Sequence, residues 1–416
     1  MESSIINYWG VNPVRVLFSR LMVMLIGLFL VLLVYDPLGD QLCVFYSKTN
    51  DLFADFFNVQ IYIADNDVYH NLYHGLEQKN YLPLAYMILD LFNGFAPYSS
   101  MTLQDTYLSH PAIISCVLFT LGSVLLMFHA LSKLVKLDAT LLFILCFSSV
   151  FLFTLERGNL IILSVALTFY FLAYKDCQES GLRYFALTCL CLSVVLKGFP
   201  IVFGLYLLEG RRYRDILYCV VVTLLLTILP FLYFQHGFDN IPQFLSNVQM
   251  NTQMYDDGLY QRFGLIVLNR LFFGALHAYD TVYAEVGYIV AKGAVILLSL
   301  LSIFLFFIER VTWKKIMMIS IIIAYLPSNN GFYCALYFLP GLLLFLRDQQ
   351  GRKIDWAYMF LFCVVLNPLQ IPVHGIVISW ILSNLAVFII WVLLLSETIS
   401  DLWISKRIII KKYIKS

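Results

Sequence analysis

"LMVMLIGLFLVLLVY", residues 21–35, runs fifteen residues without a charge, directly after Arg15 and Arg20. Read back to Phe18, it approaches the about 20 apolar residues that carry a helix across a bilayer. No small-residue cleavage motif follows, so the run reads as a retained first helix with its basic flank in the cytoplasm. The rest of the chain agrees. It is 61% hydrophobic and 13% charged, with 35 Phe and 27 Tyr, and its mean hydropathy is +0.82. Soluble domains are roughly half apolar and about a quarter charged. The expected fold class is therefore an all-α integral membrane protein, a single polytopic domain over 1–416.

Working outward, apolar runs fall near 18–35, 111–131, 139–155, 159–174, 183–197, 199–208, 215–234, 286–308, 316–328, 331–346, 355–371 and 375–396. That predicts about twelve transmembrane helices. The basic clusters sit between them: Lys133 and Lys136, "KDCQESGLR" (175–183), "EGRRYR" (209–214), "ERVTWKK" (309–315), "RDQQGRK" (347–353), and a tail with Lys406, Arg407, Lys411, Lys412 and Lys415. Placing all of them inside puts both termini in the cytoplasm. It requires that 262–284 lie on or dip into the outer face without crossing. The expected location is a cell (inner or plasma) membrane.

The outer side then receives two large loops, 36–110 and 235–285, and four tight turns: "ERGN" (156–159), "LKGFP" (196–200), "PSNNGFY" (327–333) and "NPLQIPVHG" (367–375). In the first loop, "DLFADFFNVQIYIA" and "LPLAYMILDLF" space their apolar residues as helices do. They are expected to lie as interfacial helices on the outer leaflet.

Net charge is +1, which implies no nucleic-acid partner. Most of the nine Cys lie inside apolar runs and read as small hydrophobes. No metal or disulfide is assigned from them. His70 and His74 stand four apart, a spacing that holds a metal on a helix, but no third ligand is evident and no cofactor is implied. His236 and His374 look isolated.

Chemistry concentrates in the outer segments. Asp51 and Asp55 are four apart, on one face if helical. Desolvation near a membrane raises a carboxylate pKa and suits a base that must take a proton from a hydroxyl; a solvated acidic loop reads equally from these residues. Asp65 and Asp67 read as capping a short helix. Arg157 and Lys197 stand in tight turns at membrane level, where charge usually marks a pathway or an anionic ligand. A salt bridge from Arg157 to Glu156 or another acid, and snorkelling of Lys197 to headgroups, are the plainer readings. Arg262 and Arg270, eight apart, fall near one helical face, and Arg suits phosphate through its bidentate fork.

Several segments in order resemble one family. The first loop with "YLPLAYMILDLF", "ERGNLIILSVALTFYFLAY", "LSVVLKGFPIVFGLYLLEGRRYRDIL", "NVQMNTQMYDDGLYQRFGLIVLNRLF" and "PSNNGFYCALYFLPGLLLFLRD" are similar to glycosyltransferase family 87, a GT-C family that includes polyprenol-phosphate-mannose-dependent mannosyltransferases. The resemblance covers roughly 15–350. It implies a GT-C-like bundle, a polyprenyl-phosphate hexose donor, a glycolipid or glycan acceptor, membrane lipids as surroundings, and inversion at the sugar. It makes Asp55 the matching catalytic base, with Asp51 in reserve. It also makes Lys197, Arg262, Arg157 and Arg270 donor-phosphate residues. Tyr62, Asn159, Asn251, Gln253 and Asn330 become substrate-binding candidates. The rivals are a Wzy-type polysaccharide polymerase or ligase, a lipid-linked glycan transporter and, least, a membrane acyltransferase.

Overall fold

In the computed structural model the described residues are 12–35, 52–73, 75–254, 262–276, 281–327, 330–349, 351–373 and 376–414, the side chains of 252–254, 275, 372, 376 and 405–414 excepted. Most of the described chain is helix. In order these are α1 (Pro13–Tyr35), α2 (Ala54–Ile63), α3 (Pro83–Asp90), α4 (Leu103–Leu108), α5 (His110–Leu134), α6 (Ala139–Cys146) and α7 (Ser149–Arg157). Then come α8 (Ile161–Tyr174), α9 (Ser180–Lys197), α10 (Leu205–Glu209), α11 (Tyr213–Ile228) and α12 (Asn240–Met254). The last are α13 (Leu265–Ala275), α14 (Val282–Phe306), α15 (Thr312–Tyr325), α16 (Leu339–Asp348), α17 (Lys353–Leu366) and α18 (Ile378–Ile414). Among the described residues, the only strands are Pro372–Val373 and Ile376–Val377, paired antiparallel.

Six helices among the described residues are long and apolar enough to cross a membrane, and α6 with α7 makes a seventh if the bent pair is one span. At 1.5 Å per residue, the 23 residues of α1 reach about 35 Å, enough for a hydrocarbon core of about 30 Å. Shorter apolar helices include α8, Phe199–Glu209 and Leu265–Gly274. At 11 residues, α13 reaches only about 16 Å and does not cross by itself. Six or seven such helices is fewer than the twelve runs counted in the sequence. Several runs fold as helices of 14 residues or fewer, as α8, α15 and α17 do.

The chain forms two compact units. One comprises Met1–Gln41, Ala139–Ser149 and Leu259–Ser416; the other comprises Leu42–Asp138 and Val150–Gly258. In the second, the first loop builds its own aromatic core. Phe56 stacks on Phe119 of α5 at 5.4 Å, and Tyr69 packs on Tyr86 and Phe231 at 5.7 and 5.6 Å. The buried Gln60 is satisfied on both sides: its Nε2 donates to Leu89 O (2.9 Å) and its backbone O accepts from Asn93 Nδ2 (2.7 Å). Eight of the ten residues of α2 are buried. Protein therefore covers α2 on nearly every side, unlike the helix lying on a leaflet that its spacing suggested.

Hydrogen bonds tie the loops of this unit together. Phe53 N donates to Glu156 O (2.7 Å), Lys197 Nζ to Tyr81 Oη (2.9 Å), Tyr233 Oη to Asp90 Oδ2 (2.5 Å) and Gln235 N to Asn66 O (3.1 Å). Arg212 Nη1 donates to Lys175 O (2.5 Å), joining two basic loops.

The first unit has contacts of the same kind. Lys314 meets Glu397 at 3.1 Å, Arg352 meets Glu397 at 2.6 Å, and Asn12 Nδ2 donates to Leu346 O at 2.9 Å. Separately, Phe263 N donates to Asn330 O (3.2 Å) and Arg262 pairs with Gly331. In a cysteine-free background, Asp65→Cys and Gln235→Cys are expected to react with a membrane-impermeant maleimide from one side of the membrane. Asp176→Cys and Arg211→Cys should react only from the other; labelling of all four from one side would contradict the arrangement.

Candidate active site

The site is built on the "ERGN" turn. Helix α7 ends at Arg157, and Gly158 takes a φ of +61°, in the left-handed region that suits glycine. The chain reverses there, and Asn159 Oδ1 accepts from Ile161 N (2.9 Å) at the start of α8. This leaves the Asn159 amide nitrogen free to turn outward, where it donates to Asp55 Oδ2 at 2.5 Å. Arg157 Nη2 pairs with Asp55 Oδ1.

Asp55 is brought to this turn by the start of α2. Phe53, its N-cap, adopts a φ of 54°, which is costly for a residue with a side chain, while its N–H is tied to Glu156 O. The approach is tight: a Cβ on Gly158 would lie 3.3 Å from Phe56 Cβ and 3.4 Å from Phe53 Cα. Asp55 also sits in the first turn of α2, where the helix dipole favours a negative charge.

Lys197 completes the cluster. It is the last residue of α9, before Gly198 at a φ of +66°. Its Nζ lies 2.9 Å from Tyr81 Oη and 4.3 Å from the ring centroid. Tyr81 is held by its backbone, with O accepting from Tyr69 Oη (3.0 Å) and N donating to Tyr86 Oη (3.3 Å).

Electrostatics make Asp55 an anion. Burial pushes its carboxyl up, but Arg157, the Asn159 hydrogen bond and Lys197 outweigh that and hold it below the usual 3.8. This reverses the sequence expectation of a raised value, because the opposing charges come from turns about a hundred residues away. Tyr81 moves the other way: burial and the Asp55 charge raise it, so the phenol stays protonated.

The other candidates have surroundings of their own. Tyr62 is buried in the loop core with Lys79 Nζ 5.6 Å from its ring, and burial holds Lys79 down to about 8. Asn251 Nδ2 donates to Glu77 O (2.9 Å), tying α12 to the first loop. Arg262, Arg270 and Asn330 belong to the other unit. There Asn330 Nδ2 donates to Ile323 O and closes the turn after α15. Arg270 lies 5.5 Å from the Tyr288 ring centroid. Arg262 precedes α13 in the pairing with Gly331, so it shares no helical face with Arg270. Asp51, His74 and the Gln253 side chain lie outside the described residues. Sequence reasoning missed Tyr81; its signal was a tyrosine directly before "LPLAY".

With a depressed pKa, Asp55 contributes stability that is present above the unfolded value of about 3.9 and lost as pH falls through the lower folded one. In Arg157→Gln the largest opposing charge is gone. The infrared band of protonated Asp55, identified by subtracting Asp55→Asn, is then expected at higher pH than in the parent; an unchanged titration would refute the pairing. Gly158→Ala should lower stability by about 1–2 kcal/mol from backbone strain, with the contacts to Phe56 and Phe53 adding to it, and the thermal midpoint should fall accordingly.

A model of glycosyltransferase family 87 matches residues 104–328. No curated protein and no solved structure matches. The matched stretch takes in Arg157, Asn159 and Lys197 and begins after Asp55 and Tyr81. It covers more than half of the 416 residues, and the chain accordingly belongs to glycosyltransferase family 87 and is a multi-pass membrane glycosyltransferase.

Proposed function

We propose that the chain transfers a hexose, mannose being the first sugar to test, from a polyprenyl-phosphate donor to a lipid-linked or polysaccharide acceptor, with inversion, on the outer face of the cell membrane. The observation that carries this reading is the Asp55 carboxylate held at one turn with Arg157, Asn159 and Lys197. Both termini then lie in the cytoplasm, as the basic loops require.

The chemistry follows from the charges. A polyprenyl-phosphate sugar is a phosphodiester carrying one negative charge. As the bond from the anomeric carbon to the phosphate oxygen breaks, the departing monoester gains a second charge. Arg157 and Lys197 stabilise that charge where it develops, the kind of contact worth on the order of 10²–10³ in rate. The acceptor oxygen forms its bond to the anomeric carbon from the opposite face and gives its proton to Asp55.

Donor phosphate competes with Asp55 for Arg157. Engagement of Arg157 by phosphate leaves the carboxylate with burial and fewer compensating partners, which raises its basicity. Tyr81, protonated, is placed to donate a hydrogen bond. Support for a lipid donor comes from an apolar pocket of about 370 Å³ at the start of α2, lined by Leu52, Phe53, Phe57, Tyr107, Leu108 and Ile113 among others.

Purified full-length protein is to be incubated with radiolabelled polyprenyl-phosphate mannose and envelope glycolipid, and transfer followed by thin-layer chromatography. Asp55→Asn, checked for folding by size exclusion, is expected to lose about 10²–10⁴ of the rate. Full activity in the folded variant would remove Asp55 as base. Absence of transfer from mannose, glucose and arabinose donors alike would overturn the donor class.

A further inference from the structure

Two histidines 166 positions apart in the chain, His70 and His236, turn a ring nitrogen to the same carboxylate. His70 Nδ1 lies 3.1 Å from Asp67 Oδ1, and His236 Nε2 lies 3.7 Å from that same oxygen. The second distance is too long for a hydrogen bond. The two rings meet edge to face with centroids 5.0 Å apart. All three ligand atoms lie within 4.8 Å of one another.

The backbone is built to hold them there. Asn66 and His236 both take positive φ, 60° and 69°, and Gln235 N donates to Asn66 O (3.1 Å), stitching the two turns together. Asp65 Oδ1 accepts from Asp67 N (3.1 Å) and Asn71 Nδ2 (2.8 Å), fixing the first turn from within. Asn240 Nδ2 donates to Gln235 O (2.6 Å) and fixes the second.

We propose that Asp67, His70 and His236 form a binding site for a divalent transition-metal ion of the zinc class, which staples the turn after α2 to the turn before α12. A tetrahedral zinc with bonds of about 2.0–2.1 Å sets its ligands about 3.3 Å apart. The observed 3.1 and 3.7 Å to Asp67 bracket that spacing, and with all three ligand atoms within 4.8 Å of one another, side-chain movements of no more than about 1.5 Å close the site. Two imidazoles and one carboxylate suit zinc better than calcium or magnesium, which favour all-oxygen ligand sets. The side chains keep 26–45% of their exposure, which leaves a fourth position to water. The staple is independent of the transfer chemistry.

The test uses full-length, tag-free protein stripped with chelator and dialysed metal-free. Zn²⁺ is titrated by calorimetry, and Co²⁺ serves as the spectroscopic probe. One Zn²⁺ per chain is expected, with tetrahedral Co²⁺ absorption and a thermal midpoint raised by Zn²⁺. His70→Ala, His236→Ala and Asp67→Asn should each weaken binding by at least about tenfold, while His110→Ala leaves it unchanged. X-ray absorption at the zinc edge of the unsubstituted protein, which needs no folded variant, should show two imidazoles and oxygen. Lack of stoichiometric binding, or a zinc shell without two imidazoles, would leave Asp67 and His70 as an ordinary hydrogen-bonded pair and overturn the proposal.

Discussion

A carboxylate with 19% of its side chain exposed, Asp55, is stable in this chain only because Arg157 and Asn159 meet both of its oxygens. A buried charge without such partners is costly, so much of the second unit's geometry follows from satisfying it. Gly158 must turn left-handed to present Arg157 and Asn159 from one loop, and Phe53 must do the same to deliver Asp55. The aromatic core under α2 holds that strained entry in place. The same pairing that makes burial tolerable keeps the carboxylate ionised, with Lys197 as a second cation acting on it.

The apolar spans handle polarity by a different route. Ser164, Thr168 and Ser193 are buried between α8 and α9 and satisfy one another, Thr168 Oγ1 to Ser193 Oγ at 2.7 Å and Ser164 Oγ to Ser193 Oγ at 3.0 Å. Small hydroxylated residues let helix backbones approach where hydrocarbon offers no drive to associate. Charges meet in local groups, where Arg212 reaches Lys175 O and Lys314 sits among Glu309, Glu397 and Asp401.

Local composition made the first helix, the basic loops and the residues Asp55, Arg157, Asn159 and Lys197 legible, because a charge or an amide beside a long apolar run is conspicuous by itself. What depended on distant partners was not. Arg157 finds its acid 102 residues away, so the sign of the Asp55 shift is invisible in "NDLFADFF". His236 looked isolated because its neighbour, His70, lies in another loop. The break before α13 at Gly264, with a φ of 138°, moved Arg262 off the helix that periodicity alone would have continued. Apolar runs interrupted by Gly or Pro, such as "KGFP", fold as short helices, so a run in the sequence does not by itself make a helix of spanning length.

On the proposed function, the donor phosphate sits at the Asp55 turn. The most direct measurement is a cryo-electron microscopy structure of the full chain with a polyprenyl monophosphate bound. The account predicts phosphate density against Arg157 and Lys197, with the Arg157–Asp55 pair opened and the carboxylate facing the space a sugar would fill. Phosphate bound elsewhere, with that pair intact, would contradict it.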